Sequence, residues 1–93
     1  MSPPPADGSR ALPMVDFSTF ILSLATAALY QLGAIPEAGS GEAAPADPLV
    51  ARQTLETLEM LREKTLGNLS EEERKLIDSL LYDLRLRIVE LER

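Results

Sequence analysis

The chain has 93 residues, a formal net charge of −6 at pH 7, and neither cysteine nor histidine. A chain of this length forms one small domain at most, and small domains are often stabilised by association because they bury a modest fraction of their surface. Without cysteine there are no disulfides or thiolate metal sites, and without histidine the commonest general base is missing. The acidic balance opposes binding to nucleic acid, which depends on clustered lysine and arginine. We expect no catalytic residue, metal or cofactor.

Two stretches of the chain lack helical periodicity. Residues 1–15, MSPPPADGSRALPMV, are rich in proline and small residues, which predicts a disordered arm. A secretory signal would have a basic start followed directly by an apolar core, and this arm has neither, so we expect no such signal here. Residues 33–47 are rich in alanine, glycine and proline, which predicts a linker. Residues 16–93, with this linker inside them, are expected to form a single helical domain.

Capping signals predict three helices. Asp16 can cap the first, Asp47 followed by Pro48 opens the second, and Ser70 with Glu73 three residues later forms a capping box for the third. Their expected ranges are about 16–32, 48–66 and 70–92. Because the link between the second and third helices is only three residues long, those two helices must form an antiparallel hairpin. The predicted fold class is all-α, a three-helix unit of one apolar helix and one helical hairpin.

The two helices of the hairpin are amphipathic when each residue is turned through about 100° around its axis. The predicted inward stripe of the second helix comprises Val50, Ala51, Thr54, Leu55, Leu58, Leu61, Thr65 and Leu66. That of the third helix comprises Leu76, Ile77, Leu80, Leu81, Leu84, Ile88 and Leu91. On the opposite side of the third helix, Tyr82, Leu86 and Val89 form a second apolar patch.

The first helix has no polar side. Its segment, FSTFILSLATAALYQLG, contains no charged residue, and its large apolar side chains point in every direction. Such a helix is buried all round, in protein or in lipid. A membrane span needs roughly 20 apolar residues and favours cationic flanks, whereas this segment is shorter, carries serine, threonine and glutamine, and is bordered by Asp16 and Glu37. We favour a protein core, with a membrane-associated adaptor that inserts residues 17–32 as the alternative.

A homodimer would complete the burial of the first helix. Two amphipathic neighbours shield about half of its circumference, and a second copy of the chain is the simplest cover for the rest. The small-residue row Thr19, Ser23 and Ala27, spaced by four, would let two such helices approach closely near a two-fold axis. The predicted oligomer interface comprises Phe17, Thr19, Phe20, Ser23, Leu24, Ala27 and Tyr30.

Two blocks of the sequence resemble a known family. FSTFILSLATAALYQLG and, after the linker, RQTLETLEMLREKTLGNLSEEERKLIDSLLYDLRLRIVE are similar to small bacterial proteins defined only as a domain of unknown function, number 1844. The resemblance covers about residues 15–90, and the linker departs most from the family pattern. It implies a bacterial, cytoplasmic, all-helical protein. It supplies no activity.

Three classes of function remain open. The leading hypothesis is a noncatalytic homo-oligomeric interaction protein without nucleic-acid partners. Its expected partner surface comprises Tyr82, Arg85, Leu86 and Val89. The second is the membrane-associated adaptor described above. The least favoured is an enzyme whose site spans the dimer axis and uses Glu56, Glu59 or Glu63 with Arg62.

Several polar side chains have a simpler structural interpretation. Asp83 and Arg87 are four residues apart, which predicts an exposed helical ion pair. Arg85 and Arg87 beside Tyr82 could bind an acidic peptide or a phosphate, but they lie about 200° apart around the helix and do not converge within one chain. The hydroxyl groups of the first helix are expected to bond a carbonyl one turn back and not to act as nucleophiles.

Overall fold

Three helices make up most of the described chain, residues 15–36 and 45–93 of a computed structural model. Helix α1 spans Phe17–Gln31, α2 spans Pro48–Lys64 and α3 spans Glu71–Glu92. The described residues contain no other helix and no strand element, which confirms the all-α class. The predicted arm, apart from Val15, and the central part of the predicted linker, residues 37–44, lie outside the described residues.

The starts of α1 and α2 are fixed by aspartate side chains. Asp16 accepts a hydrogen bond from the Thr19 backbone N–H at 2.7 Å, and Asp47 accepts one from the Val50 backbone N–H at 3.4 Å. Pro48 occupies the first position of α2, where a missing N–H costs nothing because that group has no partner within the helix. These are the caps that the sequence predicts.

The start of α3 and the ends of the first two helices also follow local chemistry. Ser70 and Glu73 form the reciprocal capping box, with the Ser70 N–H donating to Glu73 Oε1 at 2.8 Å and the Glu73 N–H donating to Ser70 Oγ at 3.1 Å. Gly33 follows α1 with φ of +72°, and Gly67 lies in the α2–α3 turn with φ of +84°. Glycine adopts this left-handed conformation without a Cβ penalty, so each helix stops cleanly.

The helices run up, down and up. The Asp47 N–H donates to the Gln31 carbonyl at 2.6 Å, and the Thr54 hydroxyl donates to Gln31 Oε1 at 2.8 Å, so α2 begins beside the end of α1. The hairpin of α2 and α3 is antiparallel, as ion pairs from Arg62 to Asp78 near the turn and from Arg52 to Glu92 at the open end demonstrate. Helices α1 and α3 therefore run in parallel.

All three pairs of helices pack against one another around one apolar core. The buried residues are Ile21, Ala25, Ala28, Leu32, Ala51, Leu55, Leu58, Ile77, Leu81, Leu84 and Ile88. No polar or charged side chain in the described residues is buried. The core therefore gains its stability from apolar burial without the cost of desolvating polar groups.

Three residues assigned to the inward stripes are more exposed than predicted. Leu66 is 66% exposed because α2 ends at Lys64, and the rotation of 100° per residue no longer applies in the turn. Val50 and Leu91, at 38% and 43% exposure, lie in the first turn of α2 and the last turn of α3. At these ends the neighbouring helix no longer covers the edge of the stripe.

Candidate interaction surfaces

The outward side of α1 is one of two candidate surfaces. The buried residues of α1 lie within one stripe, and the opposite side by helical rotation carries Thr26 and five residues of the predicted interface. These five, Thr19, Phe20, Ser23, Ala27 and Tyr30, we call the α1 outer face. Thr19, Phe20 and Ser23 are exposed, whereas Ala27 and Tyr30 are half-buried. Phe20 and, on the α1 flank, Leu22 each remain 44% exposed after the hairpin has packed against α1.

Two hydroxyl groups on this side of α1 are satisfied within the helix. Ser23 Oγ donates to the Thr19 carbonyl at 3.0 Å, and Thr26 Oγ1 donates to the Leu22 carbonyl at 2.8 Å. These are the bonds to the preceding turn that the sequence predicts. Helix α1 carries no charged side chain, and the hydroxyl protons of Ser23 and Thr26 need no external acceptor. Covering it would therefore incur a small polar desolvation cost.

The structure divides the seven residues of the predicted oligomer interface. Five of them form the α1 outer face, whereas Phe17 and Leu24 pack against the core cluster. Sequence alone gives no signal for this division, because α1 is apolar on every side and its rotation about its own axis is set by the fit to α2 and α3.

The second candidate surface lies on α3, opposite its buried stripe. Tyr82, Leu86 and Val89 are 70%, 45% and 55% exposed, and we call these three residues the α3 patch. They share one side of the helix because successive members are four and three residues apart. The apolar patch predicted from sequence is therefore a solvent-facing surface of the described chain.

The two arginines near the α3 patch are both held by carboxylates. Arg85 reaches across to α2, donating to Glu59 Oε2 from Nη2 at 2.8 Å and from Nε at 3.2 Å. Arg87 donates from Nε to Asp83 Oδ2 at 2.9 Å, which is the predicted pair. The two guanidinium groups do not converge on Tyr82. In this conformation the YDLRLR segment offers no unpaired arginine pair for an acidic ligand.

A further ion-pair network joins α2 and α3 close to their turn. Arg62 donates to both carboxylate oxygens of Asp78, and Arg74 donates to Asp78 Oδ2 at 3.4 Å and to Glu71 Oε1 at 2.7 Å. The hydrogen bond from Arg62, with the positive charges of Arg62 and Arg74, holds the pKa of Asp78 below its usual value. The same pairing raises the pKa of Arg62. These groups fasten the hairpin.

The residues of the least favoured hypothesis, the enzyme site, do not form one cluster of available groups. Arg62 is engaged by Asp78 and Glu59 by Arg85, while Glu56 and Glu63 are exposed to solvent. No group of three acidic residues in the described part of the chain is arranged to hold a metal ion.

Clefts formed by the described residues include two at the ends of the bundle. One of about 270 Å³ is lined by Leu32, Ala34, Arg87, Glu90 and Leu91, and another of about 180 Å³ lies over the α2–α3 turn beside Arg62 and Arg74. The three arginines in these clefts already donate to carboxylates, so neither cleft presents a set of convergent free polar groups.

Helix α1, with 15 residues, is shorter than the roughly 20 apolar residues that cross a bilayer. Among the helices of residues 15–36 and 45–93, none combines enough residues with enough hydropathy to cross a membrane. The longest, α3, is amphipathic and charged.

Comparison with known proteins gives a family. No curated protein and no solved structure matches the chain. The family model described as Domain of unknown function (DUF1844) matches residues 14–90, which include α1, α2, all but the last two residues of α3, and both candidate surfaces. The match agrees with the resemblance seen in the two sequence blocks. The chain belongs to the DUF1844 family.

Proposed function

We propose that this protein is a noncatalytic helical interaction protein that acts as a homodimer in the bacterial cytoplasm. Two copies meet through their α1 outer faces near a two-fold axis, and the hairpins lie outside and present the α3 patches to a partner. The bacterial and cytoplasmic setting is carried over from the family resemblance. The dimer and its interface rest on the surface chemistry of α1.

One observation carries the proposal: α1 keeps an uncharged outward side after its own hairpin has packed against it. Charged residues usually mark the solvent side of a helix in a small soluble domain, and α1 has none. Thr19, Ser23 and Ala27 form a row of small side chains along this side, which permits two helix axes to approach to about 8 Å. Symmetry then places the row against its own copy.

The exposed apolar side chains set the expected strength of the dimer. Full burial of a Phe or Leu side chain is worth about 1.5–3 kcal/mol. Covering the exposed 44% of Phe20 and of Leu22 then contributes about 1 kcal/mol each, or about 4 kcal/mol for the two copies. Association costs about 4–15 kcal/mol in lost translational and rotational freedom, so these two side chains alone would not hold a dimer together, and the remaining α1 outer face and its rim must contribute as well. We therefore expect dissociation somewhere between micromolar and millimolar concentrations.

The test is the mass of the full chain by size exclusion with light scattering, from about 10 μM to about 1 mM. The wild type should change from monomer to dimer across this range. Ser23→Arg should hold the chain as a monomer, because it places two cations together at the axis, where burying each ion costs several kcal/mol. Ser79→Arg is the matched control, since Ser79 is also an exposed serine in a helix, α3.

Three results would contradict the proposal. A wild type that stays monomeric at every concentration refutes the homodimer. A dimer that survives Ser23→Arg but is lost in Ser79→Arg moves the interface to α3. A dimer unaffected by either substitution excludes both faces. Circular dichroism of each variant checks that the helices are intact.

A further inference from the structure

We infer that the α3 patch binds a short amphipathic helix of a partner protein, one whose apolar stripe is flanked by lysine or arginine. This inference rests on the proposed function, in which the patch faces outward, and adds the chemistry of the partner. It follows from the size of the patch, the charges around it and the ion pairs that occupy its arginines.

The length of the α3 patch fits one helix. Tyr82 and Val89 are seven residues apart, which is about 10 Å along the axis or two helical turns. The three exposed side chains present on the order of 300 Å², within the range of functional patches on monomers. A partner helix that lays residues i, i+3 or i+4, and i+7 against the patch matches it in length.

Carboxylates stand on both sides of the α3 patch. Glu56 and Glu63 are exposed on α2, each four residues from a side chain that reaches α3, so they share the side of α2 that borders the patch. Glu90 lies four residues beyond Leu86 on the other border. None of these three glutamates makes an ion pair within residues 15–36 and 45–93.

The positive charges near the α3 patch are paired with carboxylates or lie at its ends. Arg85, the cation nearest to Tyr82 in sequence on the α2 side, is neutralised by two hydrogen bonds from its guanidinium to Glu59. Lys75 and Arg93 are exposed at the two ends of the patch and not along its borders. Complementarity therefore calls for cations on the long edges of the partner helix, where they face Glu56, Glu63 and Glu90.

The experiment titrates the isotope-labelled full chain with two synthetic helical peptides that share one leucine stripe and differ only in flanking lysine or glutamate. The lysine peptide should shift the amide resonances around Tyr82, Leu86 and Val89. It should bind at least tenfold more tightly than the glutamate peptide, and raising the salt from about 0.1 M to about 1 M should weaken it by shortening the Debye length from about 10 Å to about 3 Å.

A pair of matched variants distinguishes binding at the α3 patch from nonspecific apolar binding. Leu86→Ser should weaken binding of the lysine peptide at least tenfold, whereas Leu66→Ser, which changes an exposed leucine of the α2–α3 turn outside both candidate surfaces, should not. The double change Glu56→Gln with Glu63→Gln should weaken it severalfold and reduce its salt dependence.

The inference is overturned by any of three results. These are equal affinity of the glutamate and lysine peptides, resonance shifts that lie on α1, and no binding of either peptide at a concentration of about 1 mM. Light scattering of the same samples reports the dimer separately. A monomeric wild type that still binds the lysine peptide refutes the homodimer alone, and a dimer that binds neither peptide refutes the partner helix alone.

Discussion

Replacing a buried leucine and an exposed leucine of the same helix tests how α2 is placed in the bundle. Leu58 is 0% exposed and Leu49 is 80% exposed. Leu58→Ala removes apolar atoms from the centre of the core and leaves a cavity, which costs about 2–5 kcal/mol. Leu49→Ala changes a side chain that is mostly in water and should stay within about 0.5 kcal/mol of the wild type.

The measurable effect is a shift in the thermal midpoint. In a domain of this size each 1 kcal/mol moves the midpoint by about 4–8 °C, so a loss of about 3 kcal/mol lowers it by about 12–24 °C. Far-UV circular dichroism follows the unfolding, with all variants at one protein concentration because a dimer gains apparent stability by mass action. Equal losses for Leu58→Ala and Leu49→Ala, or a loss below about 1 kcal/mol for Leu58→Ala, would refute the inward orientation of α2.

Substitutions at two further positions address the turn and the hairpin. Gly67→Ala should lower the free energy of unfolding by about 1–2 kcal/mol, because Gly67 has φ of +84° and a Cβ there would meet no atom within 4 Å, so only the backbone penalty remains. In the same denaturant titration, Gly67→Asn should cost less. Equal stability of Gly67→Ala and the wild type would contradict this account. The lowered pKa of Asp78, caused first by its hydrogen bond from Arg62, stabilises the fold above the unfolded pKa of about 3.9 and this stabilisation is lost as the pH falls through the lower folded value. Asp78→Asn should therefore flatten the dependence of unfolding free energy on pH below about pH 5, and an unchanged slope would show that the pair contributes nothing to it.

Features that depend on residues within one turn of each other follow directly from the sequence. The caps at Asp16, Asp47 and Ser70, the Asp83–Arg87 pair and the hydroxyl bonds in α1 all join residues three or four apart. Helical geometry alone brings such residues together, whatever the rest of the chain does.

The least predictable features are contacts between helices. Arg85 and Glu59 are 26 residues apart, and no local pattern indicates that α3 presents this arginine to α2 and not to solvent. In the hairpin, Arg85 of the expected partner surface is paired with Glu59, while its side chain stays about half exposed. The three apolar residues around Arg85 remain exposed as predicted, because the amphipathic pattern of α3 fixes which side faces the core.

Sequence determined the class of the fold, the starts of the helices and the outward patch of α3, because each depends on local hydrogen bonds or on an amphipathic period. Only the tertiary structure decided the rotation of α1. A helix with no polar side has no preferred direction until it meets its neighbours, and the fit to α2 and α3 placed Phe17 and Leu24 against the core while it left Phe20 outside.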